Sequence, residues 1–105
     1  MIDLNEVARL NYDNAKKRGY KVDNVFSDLK AAAGELIEAV AACDDWLNFA
    51  NDYDCISEEY ERRFQLEIAD VIMCMLTVSH TMKWDIEDIL RKCLDKNEKR
   101  IKGDE

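Results

Sequence analysis

Apolar residues recur along this chain at steps of three and four, the period of a helix with one buried side, and the pattern predicts four helices. The first runs from about Asp3 to Arg18 with Ile2, Leu4, Val7, Ala8, Leu10 and Tyr12 on its inner side. It stops where Lys16, Lys17 and Arg18 meet the negative helix end before Gly19. Residues 20–24 read as a turn. The second helix runs from about Val25 to Ala50, with Leu29, Ala33, Leu36, Val40 and Leu47 facing inward, and Asn51, Asp52, Tyr53 and Asp54 read as a polar loop. Ser57 is placed to cap the third helix, which carries Glu58 and Glu59 in its first turn and reaches about Met82. Asp85 caps the fourth, Asp88 stands where a capping box needs it, and Trp84 can staple onto Ile89; this helix ends near Arg100.

Composition agrees with that reading. With no proline and three glycines, the chain lacks the punctuation that short strands need. Its 105 residues suit one hydrophobic core, so residues 1–102 are expected to form a single helical domain and 103–105 a frayed tail. A hydrophobic content of 48 % excludes disorder despite the 36 % of charged residues. The net charge of −8 argues against DNA, RNA or an anionic membrane as partner, unless divalent cations stand between protein and polyanion. Without a membrane-length apolar run or a signal-peptide stretch, the expected location is the cytoplasm. Cys43, Cys55, Cys74 and Cys93 form no Cys-x-x-Cys pair and His80 is the sole histidine, so structural zinc is excluded and reduced thiols are expected.

The informative residues are carboxylates on apolar helices. Around Glu67 and Asp70 stand Tyr60, Phe64, Ile68, Val71, Met75 and Val78, with Leu66, Ala69, Ile72, Met73 and Leu76 on the remaining sides. The third helix therefore reads as buried, with one polar stripe of Arg63, Glu67, Asp70 and Cys74. Glu35 and Glu38 repeat the arrangement on the second helix, between Ala31, Ala32, Ala33, Gly34 and Ala39, Ala41, Ala42, small residues that permit close packing or a cleft. Buried carboxylates need cations or a metal beside them. Either each pair meets Lys or Arg in salt bridges, or the two converge as an all-oxygen site for Mg²⁺ or Mn²⁺. A di-iron bundle would want Glu-x-x-His on two helices, and Thr77 stands three residues before His80. His80 reads as a core or helix-end residue. No Cys or Ser has a base partner for nucleophilic catalysis, and no glycine-rich phosphate loop is present.

Glu35-Leu36-Ile37-Glu38, then 28 residues, then Glu67-Ile68-Ala69-Asp70 resembles the paired acidic signature of the MazG-like, all-α nucleoside triphosphate pyrophosphohydrolases. Lys17-Arg18-Gly19-Tyr20 is similar to that family's basic-Gly-aromatic turn. Ala69-Asp70-Val71-Ile72 matches its Ala-Asp-Val continuation, and Asn97-Glu98-Lys99-Arg100 its closing Asn-x-x-Arg. The resemblance spans roughly residues 5 to 100. One departure is Cys93, where the family commonly carries a lysine; Lys92 or Lys96 stands nearest to replace it.

The resemblance implies a four-helix, bundle-like, oligomerising fold. It implies Mg²⁺-dependent hydrolysis of an NTP or dNTP between the α and β phosphates, giving the monophosphate and pyrophosphate. Glu35, Glu38, Glu67 and Asp70 would hold the metal, with Glu38 as catalytic base. Lys92, Lys96, Asn97 and Arg100 would bind phosphate oxygens, and Tyr12 and Trp46 could stack on the base. A third helix apolar on nearly every side has more surface than three short neighbours can cover, so a homodimer or homotetramer is expected. The alternative is a catalytically silent helical oligomer that binds a partner or senses nucleotide.

Overall fold

The computed structural model describes residues 2–53, 55 and 57–103, which form four helices in chain order: α1 (Leu4–Lys17), α2 (Val25–Tyr53), α3 (Glu58–Thr81) and α4 (Ile86–Ile101). The fold is all-α, with no strand among the described residues. Side chains of Asp3, Ser57 and Asp85 cap α1, α3 and α4 by accepting from the backbone N–H of Glu6, Tyr60 and Asp88. Asn24 does the same for α2 through the Ser27 N–H. Gly19 ends α1 at a φ of 86°, so that its N–H donates to the Lys16 carbonyl and that of Tyr20 to Ala15.

The backbone of the molecule is an antiparallel hairpin of α2 and α3. Near its closed end Trp46 lies 6.3 Å from Phe64 and Phe49 5.1 Å from Tyr60, ring centre to ring centre, and Arg63 bonds Asp45 at 3.0 Å. These contacts explain why α2 outlasts its expected end at Ala50. Phe49 also packs on Tyr53 one turn ahead at 4.8 Å, so Asn51, Asp52 and Tyr53 continue the helix; Asp54 lies outside the described residues.

The apolar faces are distributed differently from the expectation. On α2 the buried residues are Ala32, Ala39 and Ala42, while the expected inner stripe of Leu29, Ala33, Leu36, Val40 and Leu47 is exposed, Val40 by 63 %. Alanine wins that face because it lets two helix backbones approach closely. The third helix is not buried along its length in the single chain. Only Leu76, Thr77, Val78 and Ser79 are, whereas Leu66, Ile68, Ile72 and Met75 are exposed, Ile72 by 52 %. On α1 only Ala8 is buried; Leu10 faces outward, as does Ile2 ahead of the helix.

Polar clamps fix the other two helices. From α1, Asn11 Nδ2 donates to the Met73 carbonyl (3.2 Å) and to Thr77 Oγ1 (2.8 Å) of α3. Thr81 Oγ1 donates to the Val22 carbonyl in the α1–α2 connection at 2.7 Å. Asn5 holds the start of α4: its Nδ2 donates to Asp85 and Glu87, and its Oδ1 accepts from the Ile86 N–H. Beyond Asp88 every described residue of α4 is exposed. The radius of gyration, 16.9 Å, exceeds the roughly 13 Å of a compact chain this long.

Candidate functional site

Half-way along the hairpin the alanine face of α2 brings Glu35 and Glu38, one helical turn apart, against Glu67 of α3. Each offers a carboxylate oxygen within 4.8 Å of the other two. Glu35 and Glu67 are half-buried and Glu38 is exposed. Glu67 Oε2 is shut off from solvent without a hydrogen-bond partner. Burial pushes the Glu35 carboxyl above its usual range, helped by the charge and hydrogen bond of Glu38 and by the charges of Asp70 and Glu67.

The ion pairs among the described residues lie elsewhere: Arg9 with Glu6 and Asp13, Arg63 with Asp45, Lys92 with Asp88. Salt bridging therefore does not account for the acidic pairs. Three mutually repelling carboxylates, one with an orphaned oxygen, are a donor set that fits a hard divalent cation. Asp70, exposed one turn beyond Glu67, stands outside the triad but near enough for its charge to act on Glu35. The four cysteines are free.

A cavity of about 350 Å³ adjoins the acidic cluster, lined by Asn11, Ala15, Tyr20, Lys21, Val22, Ser27, Asp28, Ala31, Cys74 and Thr77. Cys74 links the two: burial raises its thiol, as do the charges of Glu35, Asp70 and Asp28. A larger cavity, about 600 Å³, sits between the start of α1, the end of α3 and the start of α4; none of the four carboxylates lines either cavity. Size alone would favour the larger; the link through Cys74 to the charges of Glu35 and Asp70 favours the smaller.

Tyr12 lines the larger cavity, its ring 4.6 Å from His80 and its hydroxyl donating to Asp23 at 2.6 Å. Trp46 packs on Phe64 near the hairpin's closed end, about 12 Å of helix rise from Glu38. Lys92 pairs with Asp88 on its own helix, and Lys96, Asn97 and Arg100 are exposed on the part of α4 beyond its anchor on α1. The single chain thus assembles Glu35, Glu38 and Glu67, and leaves the α4 group apart from them. Asp28, Asn11 and Thr77 are additions from the structure. The sequence signal for Asp28 is its place seven residues before Glu35, two turns along the same helix face.

A family model of the MazG nucleotide pyrophosphohydrolase domain matches residues 23–103. The chain belongs to the MazG family. The matched segment holds α2, α3 and α4, hence all four acidic residues and the basic group of α4, and leaves α1 outside. Searches of curated proteins and of solved structures give no match. For a MazG domain, divalent-cation dependence and a nucleotide substrate are the general pattern, and the acidic cluster agrees with both. No helix among the described residues is long and apolar enough to cross a membrane.

Proposed function

We propose that this MazG domain hydrolyses a nucleoside or deoxynucleoside triphosphate between its α and β phosphates, releasing the monophosphate and pyrophosphate. The observation that carries the reading is the Glu35–Glu38–Glu67 triad, uncompensated by any cation of the chain among the described residues. These three, with Asp70, would hold Mg²⁺ or Mn²⁺, which when bound neutralises phosphate oxygens and acidifies water. Glu38, the solvent-reached member of the triad, orients the attacking water and takes its proton as the oxygen joins phosphorus and pyrophosphate leaves. The adjoining cavity takes the nucleoside, since the rings of Tyr12 and Trp46 already have protein partners.

Lys92, Lys96, Asn97 and Arg100 would hold the triphosphate tail. They reach the carboxylates from a second copy, in a homodimer or homotetramer. The same helix exposes Leu90, Leu94 and Ile101, and α2 exposes Leu36, Val40 and Leu47, two apolar stripes with no cover in the single chain. Assay of the eight common nucleoside triphosphates with Mg²⁺, resolving pyrophosphate from phosphate, tests the reaction. Pyrophosphate and monophosphate in equal amounts, abolished by excess chelator, are expected. Stepwise orthophosphate release or full activity in chelator overturns the proposal, and inertness toward all eight favours a nucleotide-binding oligomer without catalysis.

A further inference from the structure

The cavity beside the acidic cluster has an unbalanced set of hydrogen-bonding groups. Asn11 spends its Nδ2 on the Met73 carbonyl and on Thr77 Oγ1, and the Thr77 hydroxyl donates to that same carbonyl at 3.1 Å. A backbone carbonyl only accepts, which fixes the orientation of the Asn11 amide and leaves Oδ1 without a protein partner. Across the cavity, Asp28 Oδ2 is closed off from solvent and also unpartnered, and no cation pairs with this carboxylate among the described residues. The cavity wall therefore carries two residues with acceptors that no donor of the described chain meets, Asn11 and Asp28, beside the Ser27 hydroxyl and the Cys74 thiol, while Lys21 and Tyr20 are exposed. Burial and the Asp23 charge raise the Asp28 carboxyl, as expected for an acid with no cation beside it.

We propose that Asp28, with the Asn11 carbonyl, makes this cavity selective for bases that carry an amino group, cytosine, adenine or guanine, over uracil and thymine. The inference rests on the nucleotide reading above. Asp28 stands about 10 Å of helix rise before Glu35, which gives room for a sugar between base and first phosphate. Amino groups of cytosine, adenine and guanine are donors that a carboxylate accepts. Uracil and thymine turn two carbonyls toward it on either side of one N–H, so acceptor faces acceptor. A site that leaves buried acceptors unpaired with the wrong base discriminates strongly.

The test compares kcat/KM for CTP, ATP, GTP, UTP and dTTP in the wild type and in Asp28→Asn, whose amide matches the carboxylate in shape and adds a donor. At least one amino-bearing substrate should exceed UTP and dTTP by about tenfold or more, and Asp28→Asn should erase most of that ratio. Preference for UTP or dTTP, or a ratio that the substitution leaves alone, overturns the proposal. A second readout needs neither turnover nor a variant that folds: protection of the Cys74 thiol, which lines the cavity, by CMP, AMP, GMP or UMP against alkylation, with exposed Cys55 and Cys93 as references. Protection by at least one of CMP, AMP and GMP at concentrations where UMP gives none supports the assignment even if no triphosphate is hydrolysed, which would sink only the catalytic reading. Equal protection, or none, removes it.

Discussion

Lys83 follows the C-cap of α3 at a φ of 59°, the left-handed conformation that Gly19 and Gly103 supply after α1 and α4. Its N–H donates to the His80 carbonyl and that of Trp84 to Ser79, so the turn is fixed by the same bonds that close α1. A side chain there costs about 1–2 kcal/mol, partly offset by the lower backbone entropy of the unfolded chain. Lys83→Gly should therefore stabilise the protein by about 0.5–1 kcal/mol in urea unfolding, and a β-branched residue at the same place should destabilise it. Glu67 makes the opposite trade. Its orphaned Oε2 adds repulsion within the triad, which the proposed metal would relieve. Glu67→Gln should lower kcat/KM about a hundredfold or more, whereas Glu58→Gln, exposed in the first turn of α3, should stay within about twofold. Equal losses in the two variants would show that Glu67 has no special role.

Among the elements, α4 has its start tied to α1 by the hydrogen bonds of one side chain, Asn5. Asn5→Ala removes three hydrogen bonds from the Asp85–Glu87 start of α4 and should destabilise the fold by about 1–3 kcal/mol. Faster amide exchange in α4 than in α2 would locate the effect. The helices themselves were legible because their ends are chemically marked: Asp3, Ser57 and Asp85 at the starts, Gly19 at a stop. Which face of each helix is covered was not. Periodicity groups Leu29, Leu36, Val40 and Leu47 together, but it cannot choose between that stripe and the alanine stripe as the one that meets α3. The expected end of α2 failed for a related reason, since Tyr53 is held by Phe49, whose position depends on Tyr60 in the next helix. In the site, the pairs Glu35/Glu38 and Glu67/Asp70 were readable from their apolar surroundings; the structure gathers Glu35, Glu38 and Glu67 and leaves Asp70 outside that triad. Asn11 and Thr77 are unremarkable in their own helices and Asp28 is marked only by its register with Glu35; it takes the packing of both α1 and α2 on α3 to gather them around one cavity.

The whole molecule leaves two imbalances, one apolar and one electrostatic. Leu94 is 57 % exposed on α4 and Leu36 55 % on α2, within stripes that nothing among the described residues covers. Light scattering at micromolar concentration should report at least twice 12.2 kDa, and a particle of one chain's mass would rule out assembly through these faces. The electrostatic imbalance sets the response to metal and pH. Because the folded Glu35 carboxyl is raised above its ordinary range, the folded state holds a proton where the unfolded chain has lost one. The resulting contribution to stability is present at low pH and is lost as pH rises through the raised value. With metal removed, Glu35→Gln should thus melt above the wild type near neutral pH, and the gap should narrow on acidification toward the ordinary glutamate range. A divalent cation bound to the native cluster reverses the penalty, since the unfolded chain scatters its ligands. A hundredfold excess over Kd stabilises by about 2.7 kcal/mol, several degrees in Tm for a chain of this length. Glu35→Gln combined with Asp70→Asn should abolish that rise while melting higher than the wild type without metal. A wild-type Tm indifferent to millimolar Mg²⁺ and Mn²⁺ would mean that the cluster holds no cation and that its repulsion is relieved by protonation alone.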